Sequence, residues 1–154
     1  CSRDWSSDVC SSDLDDLANG RFERILPDQV PNRKNPPERV LLCSGKVYYD
    51  LEQAREKLQR HDVVILRVEQ LYPLSDKTIE FALRGYPAGT PVRWVQEEPE
   101  NMGAWRYFRA RFCENLLGRY PFSGVYRPAS ASPATGSNNA HKQEQERIIN
   151  EAFA

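Results

Sequence analysis

The chain has 154 residues, 40% of them hydrophobic and 28% charged, with a formal net charge of -1. That length suits one domain able to bury a core, and the near-zero charge excludes a global field drawing it to nucleic acid or a membrane. No apolar run approaches the roughly 18 residues of a membrane helix, and nothing resembles a secretory signal or transit peptide.

Residues 1 to 14 have no period and no helix cap. Back-translated, Asp4 to Leu14 resembles a sequencing-library adapter read as protein. The expectation is that this segment is foreign to the domain and that the chain is a fragment of a longer protein. Residues 15 to 38 are polar and punctuated by Pro27, Pro31, Pro36 and Pro37, which reads as a lead-in linker. The four cysteines are Cys1, Cys10, Cys43 and Cys113, with no C-x-x-C pair. Cys43 and Cys113 stand in apolar contexts and read as inert core thiols.

Regular structure is expected from Arg39 onward. Arg39 to Cys43 is a short apolar strand. Val47 to Arg60 is a helix, with Val47, Leu51, Ala54 and Leu58 on one face. Asp62 to Val68 carries Val63, Val64, Ile65 and Leu66 in a row, the pattern of a strand buried on both faces. Ser75 caps a helix through Leu83, closed by Gly85 and Pro87. Val92 to Gln96 is a third strand, Gly103 to Leu117 an aromatic-rich helix, Val125 and Tyr126 a short fourth strand, and His141 to Phe153 a terminal helix. Strands alternating with helices give a three-layer, mostly parallel open α/β sheet from 39 to 154. Trp94 and Trp105 read as core. His61 falls where it can meet the terminal carbonyls of a helix.

In such sheets ligands bind beyond the carboxyl ends of the strands, and the polar clusters fall there. Ser44-Gly45-Lys46 follows the first strand, but Val47 occupies the place of the Ser or Thr that a Walker loop needs, so that motif is absent. Two readings stay open: an anion site on the amides of the next helix with Lys46 beside it, or a tight turn with a solvated lysine. Arg67 ends an apolar run and needs a partner, either Glu69, Glu97 or Glu98, or an anionic ligand. Glu97 and Glu98 point to opposite sides of an extended chain, which suits structural pairing better than shared acid–base work. No nucleophile, base and orienting group occur together, so no catalytic residue is assigned.

The blocks RVLLCSGKVYYD at 39 to 50, RVEQLYPL at 67 to 74, WVQEEPENMGAW at 94 to 105 and RPASASPATG at 127 to 136 are similar to the carboxyl-terminal domain of the 2-oxoglutarate dehydrogenase first component. DLANGRF at 16 to 22 and the H-x-x-E-Q run at His141 to Gln145 resemble the same family. The resemblance implies a transketolase carboxyl-terminal fold with one antiparallel edge strand. It also implies a parent enzyme that decarboxylates 2-oxoglutarate in the tricarboxylic acid cycle and passes the succinyl group to the lipoyl group of a dihydrolipoyl succinyltransferase. Thiamine diphosphate and Mg2+ would be bound by upstream domains absent here, leaving this fragment inactive and without a cofactor. Implied partners are those upstream domains and a second copy in a homodimer. The implied location is the bacterial cytoplasm or, in a eukaryote, the mitochondrial matrix. Some family members bind nucleotide-like effectors, which makes Arg67 a candidate phosphate contact. Lys46, Ser44 and Arg127 join it from the sheet-edge argument. Met102 departs from the family block, where glutamine is usual. Alternative readings are a related 2-oxoglutarate decarboxylase or carboligase, and a stand-alone nucleotide-binding or interaction module.

Overall fold

The structure is a computed structural model, and it describes residues 18–20, 22–29 and 36–154. The reading of residues 1 to 14 as foreign lies outside the described residues. Six strands form one sheet: β1 (Ile25–Leu26), β2 (Arg39–Cys43), β3 (Val63–Val68), β4 (Val92–Pro99), β5 (Asn115–Leu116) and β6 (Tyr120–Arg127). Their spatial order is β1-β3-β2-β4-β6-β5. The inner pairs β3–β2, β2–β4 and β4–β6 are parallel, while β1 and β5 lie antiparallel at the two edges. One antiparallel edge strand was expected, and there is one on each side. Both are two residues long, too short to show a periodic pattern.

Four helices cover the sheet: α1 (Val47–Leu58), α2 (Asp76–Leu83), α3 (Trp105–Phe112) and α4 (Asn138–Phe153). The two faces follow from the alternation of side chains along a strand. Val40, Leu42, Val64 and Leu66 pack with Ile79 and Leu83 of α2 and with Trp105 and Phe108 of α3. Leu41, Cys43, Val63 and Ile65 pack on the opposite face with Val47 and Leu51 of α1 and with Ile148 and Phe153 of α4. β2 is buried at every position. At about 25 cal/mol per Å2 of apolar surface, this two-sided burial is the main source of stability.

Ser75 caps α2 as expected, its hydroxyl accepting from the Thr78 amide at 3.2 Å. The third helix stops at Phe112 rather than Leu117, because Cys113 and Leu117 adopt φ of 54° and 55° and turn the chain into β5. Cys113 is therefore exposed, not a core thiol. Cys43 is buried and its pKa is pushed up to about 12 by loss of solvent, so it is inert at neutral pH. The fourth parallel strand is longer than expected, running from Tyr120 to Arg127, with Tyr120 and Phe122 facing the core. Gly124 interrupts its apolar alternation for a packing reason: a Cβ there would stand 2.7 Å from the Trp105 ring.

Buried charges tie the periphery to the sheet. The lead-in contributes β1 and also Asp28, which meets Arg55 of α1 at 2.6 Å with both side chains nearly closed to solvent. The end of α4 is held by arginines from the amino ends of the strands. Arg60 donates to the Phe153 carbonyl at 2.6 Å and Arg93 to that of Glu151 at 2.7 Å, while Arg39 reaches Ala154. Cations there complement the negative end of the helix dipole. Arg60 also holds Asp62 at 2.9 Å.

The other end of α4 docks on Arg127, which is buried. Its guanidinium donates to Thr135 Oγ1 at 3.3 Å, His141 Nδ1 at 3.1 Å and Gln145 Oε1 at 3.2 Å, and faces Glu144 at 3.5 Å. A guanidinium only donates, so His141 accepts on Nδ1 and carries its proton on Nε2. Gln145 then donates to Asp50 of α1 at 2.8 Å.

Arg127→Ala is expected to destabilise the chain by roughly 3–5 kcal/mol, because Glu144 loses its charge partner inside a part-buried network. Urea denaturation measures this, and a loss below about 1 kcal/mol would mark the network as dispensable. The Arg60 hydrogen bond holds the Asp62 pKa at about 2, below its ordinary 3.8. Asp62→Asn should cost under about 1 kcal/mol at neutral pH, since the side chain is 40% exposed. The folded pKa lies below the unfolded one, so the wild-type advantage is complete above pH 3.8 and fades as pH falls through about 2. Urea midpoints of both proteins across that range check it; a gap that does not close would assign the effect to packing.

Candidate functional site

The chain leaves β2 for α1 on one face of the sheet, whereas neighbouring β4 receives it from α2 and passes it to α3 on the other face. Adjacent strands whose connections go to opposite faces part at their carboxyl ends and open a crevice. A cleft of about 440 Å3 lies there. Ser44 and Gly45 line it from the end of β2, Gln96 and Glu98 from β4, and Leu71, Tyr72 and Tyr107 from the surrounding loops and α3.

The Ser44-Gly45-Lys46 turn links β2 to α1. Gly45 has φ of +73°, a conformation that favours glycine, and α1 begins without a side-chain cap. Lys46 pairs with Glu97 at 3.3 Å across the turn. Ser44 is half-buried, and no hydrogen bond of its hydroxyl occurs among the described residues.

The β4 side is built around Gln96. Between Val95 and Pro99 the register with β6 shifts, and Gln96 turns inward. Its carbonyl oxygen accepts from the Trp94 indole N–H and from the Trp105 amide, each at 2.9 Å. Its amide nitrogen donates to the carbonyls of Met102 at 2.8 Å and Pro99 at 3.1 Å. One buried amide thus closes the WVQEEPENMGAW block on itself and satisfies the start of α3. Met102 contributes its backbone carbonyl here, so the departure from glutamine costs this knot nothing. Outside it, Asn101 and Ser130 exchange hydrogen bonds at 2.9 and 3.0 Å, fastening the loop after β6 to the end of β4.

The remaining candidates lie elsewhere. Arg67 ends β3 beside Cys43. It meets Glu69 at 2.6 Å, donates to the Tyr49 hydroxyl at 3.0 Å and sits 4.9 Å from the Tyr48 ring centre. Burial lowers its pKa, but the Tyr49 hydrogen bond and the Glu69 charge outweigh that and hold it above the usual arginine value. Of the partners expected for Arg67, the structure selects Glu69. Arg127 is enclosed by Thr135, His141, Glu144 and Gln145. His61 meets the side chains of Gln59 and Glu56. Of the four candidates, Ser44 alone lines the cleft, while Lys46 pairs with Glu97 and Arg67 and Arg127 join separate networks of their own. Sequence reasoning missed Gln96, Tyr72 and Tyr107.

Among the described residues, no group of three His, Cys, Asp or Glu side chains is placed to hold a metal ion, and Glu97 is already paired with Lys46. The described residues around the cleft therefore do not fit a diphosphate–magnesium group. No helix among them is long and apolar enough to cross a membrane.

Comparison with known proteins agrees with this architecture. A solved structure described as a split gene transketolase, inactive beta4 tetramer, superposes with a TM-score of 0.54 at 13% identity, covering 86% of this chain and 44% of that one. The 2-oxoglutarate dehydrogenase E1 component of Cupriavidus necator is 41% identical over 143 residues, which is 93% of this chain and 15% of that protein. A multifunctional 2-oxoglutarate metabolism enzyme of a Mycobacterium species is 37% identical over 148 residues, 93% of this chain and 12% of that protein. The chain thus spans a small part of the length of the relatives it matches. The family model described as 2-oxoglutarate dehydrogenase C-terminal matches residues 11–153, and the chain belongs to that family.

Proposed function

We propose that the chain serves as the carboxyl-terminal domain of a thiamine-diphosphate-dependent enzyme that decarboxylates 2-oxoglutarate and passes the succinyl group to a dihydrolipoyl succinyltransferase. The observation that carries this reading is the family match over residues 11–153 on a transketolase-type sheet. In this reading the cofactor is bound by other domains of the full-length protein. The domain's contribution is then to pack within a homodimer and to offer a ligand contact at the switch-point cleft. A soluble enzyme of this kind works in the cytoplasm of a bacterium, as the bacterial relatives suggest.

Among the candidate contacts, Ser44 lines the cleft, whereas Lys46 is paired with Glu97. Arg67 and Arg127 hold the fold through their own partners. A second reading is a parent that acts on 2-oxoglutarate in another way, such as a decarboxylase or carboligase; a relative from Mycobacterium is described as a multifunctional 2-oxoglutarate metabolism enzyme.

The test is a chimaera. Residues 22 to 154 replace the matching carboxyl-terminal part of the Cupriavidus necator enzyme, and turnover of 2-oxoglutarate is measured with thiamine diphosphate, Mg2+ and an electron acceptor. The chimaera is expected to keep turnover within about tenfold of the parent, a loss of about 1.4 kcal/mol in the barrier, while the isolated chain shows none. An inactive but folded chimaera, or turnover by the isolated chain, would overturn the reading.

A further inference from the structure

We propose that the switch-point cleft receives a cationic side chain, an arginine guanidinium presented by another stretch of polypeptide. This rests on the reading of the cleft as the domain's ligand contact and goes beyond it by naming the chemistry. Tyr72, Trp94 and Tyr107 line the cleft, and Glu98 is the carboxylate among its lining residues. Tyr72 is 84% exposed and Tyr107 40%, so both present aromatic surface to an incoming group. Aromatic faces attract cations, and guanidinium stacks on them more readily than ammonium does.

The charges around the cleft point the same way. Lys46, the cation at the turn, is neutralised by Glu97. Arg111, which donates to the Tyr107 hydroxyl, is neutralised by Asp76. Glu98 is exposed and has no ion pair among the described residues. Gln96 has its amide committed to Trp94, Trp105, Pro99 and Met102. An arriving phosphate would meet one unpaired carboxylate and no free cation. An arriving guanidinium would meet the Glu98 carboxylate, Ser44 and the exposed Tyr72 ring, while Tyr107 already carries Arg111 at 5.6 Å from its ring centre. The occupant is polypeptide because the matched relatives carry several times this chain's length and so can supply it.

The full 154-residue chain, labelled with 15N, tests this by NMR titration with N-acetyl-arginine amide, N-acetyl-citrulline amide, choline and inorganic phosphate. The amides of Gly45, Gly103 and Ala104 report on the cleft. The arginine derivative is expected to shift them saturably, and the uncharged citrulline derivative to bind at least about fivefold more weakly. Glu98→Gln should weaken arginine binding by about fivefold and Tyr72→Ala by about threefold. Both side chains are exposed, so unchanged melting of the two variants separates binding from folding. Equal binding of citrulline, or no loss in Glu98→Gln, overturns the proposal. Choline binding as tightly as the arginine derivative overturns the polypeptide source in favour of a free amine. Phosphate shifting the same amides in place of arginine overturns the cationic ligand while leaving the cleft reading intact. No shift with any of the four probes removes the cleft reading and this inference together.

Discussion

A strand covered by helices on both faces has no place along its middle for a charge. β2 is closed to solvent at every position, and β3 at all but Arg67. Desolvating an unpaired charge there would cost several kcal/mol, more than a domain of this size can spare. Charges are therefore driven to the strand ends, and each must find a partner. Arg39 and Arg93 begin their strands, and Arg67 and Arg127 stand at or near the carboxyl ends of theirs.

The two ends use that constraint differently. At the amino ends, Arg39, Arg60 and Arg93 converge on the last carbonyls of α4, groups that a helix cannot satisfy within itself. At the carboxyl ends the chain departs to opposite faces, so the loops spread and leave a cleft. There the cations are absorbed locally, Lys46 by Glu97, Arg67 by Glu69, and Arg127 by the first turns of α4. One end of α4 is thus fixed by helix-dipole contacts and the other by a buried polar network, which sets both its position and its direction across the second face of the sheet.

What could be read from the sequence was what is local. The apolar run Val63 to Leu66, the spacing of Val47 and Leu51, and the Ser75 cap each depend on a few neighbouring residues, and each is in the structure. β6 was read as two residues because Pro121, Ser123 and Gly124 break its apolar pattern, and Gly124 makes room for a tryptophan remote in sequence. β1 and β5 are fixed by pairing with partners far along the chain, not by their own two residues. The site divides in the same way. Ser44, Lys46 and Glu97 were legible as polar residues after strands. Gln96 looks like any polar residue at the end of a strand, and its role depends on a register shift that only the paired sheet reveals.

The RPASASPATG and H-x-x-E-Q blocks show how separate motifs can be one feature. Arg127 and Thr135 come from the first, and His141, Glu144 and Gln145 from the second. Folded, they form one network around a single guanidinium that continues to Asp50 of the RVLLCSGKVYYD block. Three segments of the resemblance thus meet in one structural lock. Another, WVQEEPENMGAW, closes on Gln96 and leaves Glu98 exposed at the cleft. A charged side chain built into so well-satisfied a frame, with no ion pair among the described residues, is where the domain has electrostatic attraction to offer another molecule.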